Sequence, residues 1–176
     1  SYIAEVYLSI KDFTKAEEFL NKAIENSKLS NDTNSLIWAY SSLGEIQLDK
    51  KNYKAAENYF KQSLELSQKS EFKLEVIHSL TDLGKFYSTT NNLALAEKYL
   101  GKAAILANEI KSLNDLVVIY GELSLLNSKT QNYKKAFEYH KQYKEFSDSL
   151  FAISNTQQIA ELDAKYELKQ NERQTD

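Results

Sequence analysis

The segment NYKAAENYFKQS at residues 52–63 recurs in altered form as DFTKAEEFLNKA at 12–23, NLALAEKYLGKA at 92–103 and NYKKAFEYHKQY at 132–143. All four copies share one alanine, which returns every 40 residues as Ala16, Ala56, Ala96 and Ala136. Self-similarity at a constant period is the signature of a repeat array. Each copy opens on Asn or Asp, which are N-cap residues, and its apolar residues follow at helical spacing. The repeat therefore predicts one helix per unit, called B below.

A second pattern lies upstream of each B helix. An aliphatic residue is followed by a small one in every unit, as Ile3-Ala4, Leu43-Gly44, Leu83-Gly84 and Leu123-Ser124. Apolar residues three and six positions earlier complete the spacing of another helix, called A. A small residue within a helix marks the close approach of another backbone. We therefore expect two antiparallel helices per unit, with A packed on B and joined to it by a short turn such as Lys50-Lys51-Asn52.

This pattern resembles the tetratricopeptide repeat, whose motif runs W-x2-L-G-x2-Y, then A-x3-F, then A and P. The matching residues of the second unit are Tyr40, Leu43, Gly44, Gln47, Ala56, Phe60 and Ser63. The resemblance implies an all-α fold, a right-handed α-α superhelix (solenoid) with a long C-terminal capping helix. The closing proline is replaced by Lys28, Gln68, Asn108 and Asp148, and the period is 40 residues. We expect longer helices and a less abrupt corner from each B helix to the next A helix.

Two regions are expected. Residues 1–148 form an array of about four helix pairs, of which the first is truncated because Ile3 already stands at the leucine position. We expect the array to continue upstream. Residues 149–176 form a capping or linker helix, whose start covers the last unit with Leu150, Phe151 and Ile153.

The C-terminal region is in phase for a fifth A helix, but Asp163 takes the leucine position, so a fifth unit is not expected. Ile159, Leu162 and Tyr166 stand at heptad spacing. This pattern leaves two alternatives open, a solvated cap or a helix that forms a homodimer.

Composition excludes several classes of function. The chain has no Cys, and its four Gly stand far apart, so neither thiolate chemistry nor a glycine-rich phosphate loop is expected. Arg173 is the only arginine and the net charge is -3, which disfavours direct nucleic-acid contact. No apolar run of the sequence is long enough to span a membrane.

The two histidines, His78 and His140, fit no metal-binding spacing. His140 replaces the phenylalanine of the motif and is expected to be a half-buried packing residue against the C-terminal helix. No base, nucleophile and metal ligand come together in the pattern. The sequence therefore predicts neither an enzyme nor a cofactor or metal site.

A solenoid of helix pairs curves, and its A helices line the concave face where ligands usually lie. The inward positions of the A helices define a candidate groove formed by Trp38, Ser41, Ser42, Glu45, Asp49, His78, Thr81, Asp82, Lys85, Gly121, Glu122 and Leu125, with Val118 beside them. Ser41, Thr81 and Gly121 are equivalent and predict a strip of small residues along it. Trp38 is either a binding hot spot or a packing residue against the preceding B helix.

The acidic residues of this groove favour a basic or neutral peptide, although solvated acidic faces are common. Tetratricopeptide domains that hold chaperone C-terminal carboxylates use Lys, Asn and Arg at such positions, and those residues are missing here apart from Lys85. We therefore expect a peptide or protein ligand, and not a chaperone tail.

Residues 132–151 and 159–167 resemble the end of the sensor region in Bacteroidetes-type signalling proteins, which continue into a membrane helix and a histidine kinase or helix-turn-helix output. The resemblance implies the input segment of a bacterial signal-transduction regulator (two-component system), periplasmic or extracytoplasmic and adjacent to a membrane span in the parent chain. The alternatives are a structural assembly scaffold and a cytoplasmic peptide-responsive adaptor.

Overall fold

The computed structural model describes the backbone of residues 2–70 and 72–175 and the side chains of residues 2–70 and 72–166. Within these ranges the chain consists of helices joined by short turns, without a strand. The helices are α1 (Tyr2–Ser9), α2 (Phe13–Ser30), α3 (Thr33–Asp49), α4 (Tyr53–Lys69), α5 (Lys73–Thr89), α6 (Leu93–Ile110), α7 (Leu113–Lys129) and α8 (Tyr133–Thr175).

The odd-numbered helices are the A helices and the even-numbered ones the B helices of four units. Each helix packs on its neighbours in sequence, and α3, α5 and α7 also contact one another in order. The result is the predicted all-α superhelix, with the core between successive helices. The predicted fold class is confirmed.

A residue in the left-handed helical conformation terminates the helices at a strict interval. These residues are Lys11, Asn31, Lys51, Asn91, Lys111 and Gln131, and neighbouring members are 20 residues apart, or 40 across residue 71. The left-handed residue lets the backbone reverse direction within two or three residues. Both kinds of turn, A to B and B to A, are therefore equally regular.

The expectation of a less abrupt corner from each B helix to the next A helix is wrong. Only Asn31 and Asp32 separate α2 from α3, and the backbone N–H of Asn31 donates to the carbonyl of Ser27. The side chain of Asp32 then caps α3 by accepting from the backbone N–H of Ser35 at 3.1 Å. Because the left-handed residue and the cap close the corner, no proline is needed for a sharp turn.

The predicted close approach of A and B helices at the small residues is confirmed. A Cβ atom added to Gly44 would lie 2.7 Å from the ring of Phe60, and one added to Gly84 would lie 2.6 Å from Leu100. In the fourth unit, the Ser124 hydroxyl donates to the Ala136 carbonyl at 3.0 Å. The small residue thus sets the distance between the two helices of a unit.

The C-terminal region is not a separate helix, since α8 runs unbroken across the expected boundary at residues 148–149. The 20-residue interval would place a left-handed residue at Phe151, where a bulky side chain is unfavourable. Ala152 follows at the position where Asp32 caps α3, and alanine cannot cap a helix, although α5 and α7 begin after Phe72 and Ser112 without a side-chain cap. The B helix of the fourth unit therefore continues outward. The division into residues 1–148 and 149–176 remains a prediction.

Two expectations for this region are wrong. Phe151 and Ile153 are exposed, and only Leu150 of the predicted covering residues is half-buried. His140 is exposed too, and its ring stacks on Tyr143 of the same helix at 5.7 Å between centroids. The reason is the same in both cases, because a continuous α8 does not fold back over the last unit. The side chains of residues 167–176, which include Arg173, lie outside the described residues.

Candidate functional site: the concave groove

A cavity of about 220 Å³ opens on the concave face between α3 and α5. It contains six of the residues that the sequence predicted for the groove, namely Trp38, Ser41, Ser42, Glu45, His78 and Asp82. Ile37, Ser63, Glu75 and Ser79 complete its lining. Two successive A helices form the walls, and α4 supplies Ser63 between them.

Trp38 packs on the core, as one of the two sequence alternatives predicted, and its role as a binding hot spot stays a prediction. The side chain is half-buried and packs against the core cluster that α2 and α3 share. It also lines the cavity. Its packing on the core fixes the indole ring before any ligand arrives, which lowers the entropic cost of using it as a contact.

Serine hydroxyls hold the floor and one wall of the cavity in place. The buried hydroxyl of Ser63 lies 3.0 Å from that of Ser79 and donates to the Ile37 carbonyl at 3.2 Å. The Ser41 hydroxyl donates to the Asp82 carboxylate, which ties α3 to α5. These bonds satisfy the buried polar groups and fix the relative position of the A helices.

His78 stands at the junction with the next A helix. Its Nε2 lies 3.2 Å from Oδ1 of Asp115 on α7, and its Nδ1 lies 4.0 Å from Oε2 of Glu75. Asp115 also accepts a hydrogen bond from the Ser112 hydroxyl at 2.6 Å. The sequence did not predict Glu75 and Asp115 as groove residues. They occupy equivalent positions in their units, one helical turn before His78 and Val118.

The carboxylates of the cavity wall are held in an unfavourable environment. Burial raises the pKa of the Asp82 carboxyl, although the hydrogen bond from Ser41 and the charges of Lys85 and His78 lower it. Loss of water and then the nearby Asp82 carboxylate raise the pKa of Glu45. Glu45 is exposed by surface area, yet within the described residues it makes no hydrogen bond or ion pair. The groove therefore presents negative charge that its own cations compensate only in part.

The other predicted groove residues lie outside this cavity. Asp49 lines a separate cavity near α1, Lys85 and Glu122 are half-buried, and Leu125 is exposed. Thr81 is buried and its hydroxyl donates to the Ile77 carbonyl at 2.8 Å, so it is not available to a ligand. Gly121 approaches Tyr143 of α8, with 3.5 Å between a Cβ added there and the ring. The predicted strip of small residues is therefore not a continuous open surface.

A larger depression of about 450 Å³ lies at the turns between the second and third units. Its carboxylate is already engaged, since the Tyr87 hydroxyl donates to Glu57 at 2.6 Å and Lys61 donates to the same carboxylate at 2.7 Å. Burial, and then the hydrogen bond to Glu57, raise the pKa of the Tyr87 hydroxyl. The cavity at Trp38 is the better candidate because its carboxylates are not fully paired.

Two further findings concern the described part of the chain. No group of three or more His, Cys, Asp or Glu side chains there is arranged to hold a metal ion. None of its helices is both long enough and apolar enough to cross a membrane.

The geometry defines a helical-repeat protein with a concave groove, and the comparisons specify which kind. Residues 1–69 match the family model of the tetratricopeptide repeat, and helix pairs of the same fold continue through α8. No curated protein matches the sequence.

Three solved structures share the fold. Aspartyl phosphate phosphatase F from Bacillus subtilis has a TM-score of 0.80 at 20% identity, covering 85% of this chain and 39% of its own. BtubC from P. vanneervenii has a TM-score of 0.74 at 17% identity, covering 83% of this chain and 60% of its own. The apo form of RapI has a TM-score of 0.72 at 19% identity, covering 84% and 41%. The chain spans less than two thirds of each of these proteins.

Tetratricopeptide arrays are generally scaffolds for protein interaction without catalysis of their own. The phosphatase activity in the name of the first structure is that of the Bacillus protein, since likeness at this identity establishes the fold alone. The chain is therefore a protein-binding module of the tetratricopeptide type.

Proposed function

We propose that the concave groove binds an extended segment of a peptide or protein through a basic side chain, which enters the cavity beside Trp38. The observation that carries this proposal is the cavity itself, where an indole ring and the carboxylates of Glu45, Glu75 and Asp82 surround one small volume. An aromatic face with carboxylates beside it suits a guanidinium or ammonium group.

The electrostatics support a cationic ligand. Desolvation raises the pKa values of both Asp82 and Glu45, so a positive charge placed between them would stabilise their ionised forms. Further along the groove, the exposed Val118 and Leu125 of α7 offer an apolar surface. The preferred ligand is therefore a segment with a basic residue followed by aliphatic residues.

The first test uses two libraries of end-blocked peptides, one with a fixed arginine and one with glutamate at the same place. The wild-type chain is expected to select peptides from the arginine library. Substituting Trp38→Ala together with Glu45→Gln should weaken binding of a selected peptide roughly tenfold or more, since the pair forms the proposed hot spot.

The matched control is Tyr53→Ala together with Glu65→Gln, which removes an exposed aromatic ring and an exposed carboxylate outside the cavity. The control should bind as the wild type does, and circular dichroism should show both variants folded. Equal affinity of the groove variant and the control would place the binding site outside the groove.

We further propose that the chain is the input segment of a bacterial signalling regulator, on the extracytoplasmic side of a membrane. The course of α8 supports this proposal, because one continuous helix leaves the array and could transmit a change in the groove to a following domain. A reading frame in which a membrane span and a kinase or helix-turn-helix output follow would agree with it. A free-standing chain would contradict it.

The alternative is an assembly scaffold that self-associates through α8. The exposure of Ile159 and Leu162 on one side of that helix supports it. Light scattering tests this alternative, because a strictly monomeric chain would exclude association through α8.

A further inference from the structure

Three of the hydroxyl groups that line the cavity between α3 and α5 direct their hydrogen atoms to other groups of the protein. Ser41 donates to the Asp82 carboxylate. Ser63 donates to the Ile37 carbonyl at 3.2 Å. Because a hydroxyl has a single hydrogen atom, Ser79 must be the donor in its 3.0 Å hydrogen bond with Ser63. Toward a ligand, the hydroxyls of Ser41, Ser63 and Ser79 can therefore only accept hydrogen bonds.

Ser42 adds a hydroxyl group that has no partner in the described chain. The residue is 5% exposed and lines the cavity, and its hydroxyl makes no hydrogen bond to another described residue. Every fully enclosed side-chain oxygen or nitrogen atom among the described residues does have a partner. The Ser42 hydroxyl is therefore open to the cavity. A polar group in so buried a residue is costly to leave without a hydrogen bond, and a ligand in the cavity can supply one.

The carboxylates add further acceptors on both walls of the cavity. Glu45 comes from α3, whereas Glu75 and Asp82 come from α5. His78 is the one basic side chain among the lining residues, and its Nε2 lies 3.2 Å from Asp115 on α7, which is not part of the lining. A group that binds here must therefore bring several N–H donors together with a positive charge.

The next contact between A helices, that of α5 with α7, has cations of its own. Lys85 stands where the preceding unit has Glu45, and His78 stands where that unit has Trp38. His78 reaches Asp115 across this contact. The contact of α3 with α5 has a carboxylate and an indole ring at the same two positions, and Lys85 does not line its cavity. The chain thus supplies at the second contact the kind of charge that is missing from the lining of the first.

The distribution of the acceptors distinguishes the two basic side chains. The acceptors belong to α3, α4 and α5, so they surround the cavity. A guanidinium group has five N–H donors spread over one plane, whereas an ammonium group has three on a single nitrogen atom. Guanidinium is also more weakly hydrated and stacks on aromatic rings, and the ring of Trp38 lines the same cavity. The cavity therefore matches the donors of arginine better than those of lysine.

We propose that the cavity selects arginine over lysine, with the guanidinium group on the face of Trp38 and in hydrogen bonds to Ser42 and the carboxylates of the walls. This inference rests on the proposed function, since it names the basic side chain that enters the groove. Arginine loses less water on entry, and its plane of donors reaches the Ser42 hydroxyl and the carboxylates together.

The test compares three libraries of end-blocked peptides with the same random flanking residues. The fixed central residue is arginine, lysine or citrulline, which has the shape of arginine without its charge. The fluorescence of Trp38, the only tryptophan of the chain, reports whether a peptide occupies the cavity. We expect the best arginine peptides to change this fluorescence and to bind roughly tenfold or more tightly than the best peptides of the other two libraries.

Ser42→Ala tests the unpaired hydroxyl while leaving the hydrogen bonds within the described chain intact. It should weaken binding of the best arginine peptide about tenfold and that of the best lysine peptide by no more than about twofold. Ser88→Ala is the matched control, because it removes a half-buried hydroxyl of α5 that does not line the cavity. The control should bind as the wild type does, and circular dichroism should show both variants folded.

Two results would overturn arginine selection and leave the proposed function standing. One is equal affinity of the wild-type chain for the best arginine and lysine peptides, which does not depend on how a variant folds. The other is a folded Ser42→Ala chain that binds the arginine peptide as tightly as the wild type. If neither basic library yields peptides that bind more tightly than the citrulline peptides, the cavity binds no cation, and the proposed function fails as well.

Discussion

Gly44 and Gly101 are both helical glycines, but their surroundings give them opposite roles. A Cβ atom added to Gly44 would lie between 2.7 and 2.9 Å from three ring atoms of Phe60. Apart from its chain neighbours and the backbone of its own helix, no atom lies within 4 Å of a Cβ added to Gly101. The first glycine permits the contact of two helices, and the second only adds flexibility to α6.

We therefore predict that Gly44→Ala and Gly101→Ala change stability in opposite directions. Gly44→Ala should lower the free energy of unfolding by about 1–3 kcal/mol, because Phe60 has to move within a packed core. Gly101→Ala should raise it by about 1 kcal/mol through helix propensity. Urea denaturation measures both. A stabilising Gly44→Ala would mean that the helices of the second unit have room to separate.

One glutamate in each of the first three units links its B helix to the unit that follows. It comes directly after the invariant alanine, as Glu17, Glu57 and Glu97. Their partners are Gln47 and Lys50, Tyr87, and Lys135, at distances of 2.6 to 3.0 Å. The fourth unit has Phe137 instead, and no following unit lies beside it in the described chain. A single substitution thus marks the end of the array.

At the scale of elements, α8 shows how a missing turn signal changes a helix. The helix has 43 residues and is roughly 65 Å long at 1.5 Å per residue. Its apolar contacts with the core come from Tyr139 and Phe146 in its first half. The second half extends from the array because Phe151 does not favour the left-handed conformation, while Ala152, unlike Asp32, supplies no cap.

Restoring those two signals should create a corner in α8. Phe151→Asn with Ala152→Asp reproduces the Asn31-Asp32 corner, and we expect the maximum dimension of the molecule in small-angle scattering to shorten. Gln157→Asn with Gln158→Asp introduces the same side chains away from the 20-residue interval and should leave that dimension nearly unchanged. If the maximum dimension of the Phe151→Asn with Ala152→Asp variant equals that of the wild type, something other than these two signals keeps α8 straight.

At the scale of the whole molecule, the groove collects charges that are far apart in sequence. Glu45, Asp82 and Asp115 come from three different units, and the superhelix places them along one concave surface. Desolvation raises the pKa values of Glu45 and Asp82, and carboxylates held in this way reduce stability and favour cationic ligands, which is the usual compromise at a binding site.

The cost of burying the Asp82 carboxylate should appear in the pH dependence of the free energy of unfolding. Because burial raises the pKa of Asp82, the native chain holds that proton more tightly than the unfolded chain, and stability falls as pH rises above the ordinary value of an aspartate. Asp82→Asn should remove part of this fall and raise the free energy of unfolding at pH 7 by roughly 0.5–2 kcal/mol.

Urea titrations between pH 4 and pH 8 measure this effect. Asp148→Asn is the control, because Asp148 is exposed and, among the residues that the structure describes, pairs only with Lys144, at 3.2 Å. A wild-type and an Asp82→Asn chain with parallel pH profiles would mean that Asp82 is ionised without cost in the folded state.

Much of the fold could be predicted because its signals are local. The invariant alanine, the caps and the small residues each act within one unit, so the number of units and the packing of A on B follow from spacing. The regular left-handed residues were missed because Lys, Asn and Gln at these positions share no side-chain chemistry. The position of Phe151 within that interval would have revealed the continuous α8.

The sequence by itself determined the repeat, the helix pairs and six residues of the groove cavity. Only the tertiary structure decided which inward residues meet, as in the bond from Ser41 to Asp82 and the contact of His78 with Asp115. It also decided that Thr81 is buried and that Gly121 approaches α8. The physical reason is that contacts between units depend on the small rotation from one unit to the next, which accumulates over the array and which the spacing of residues does not encode.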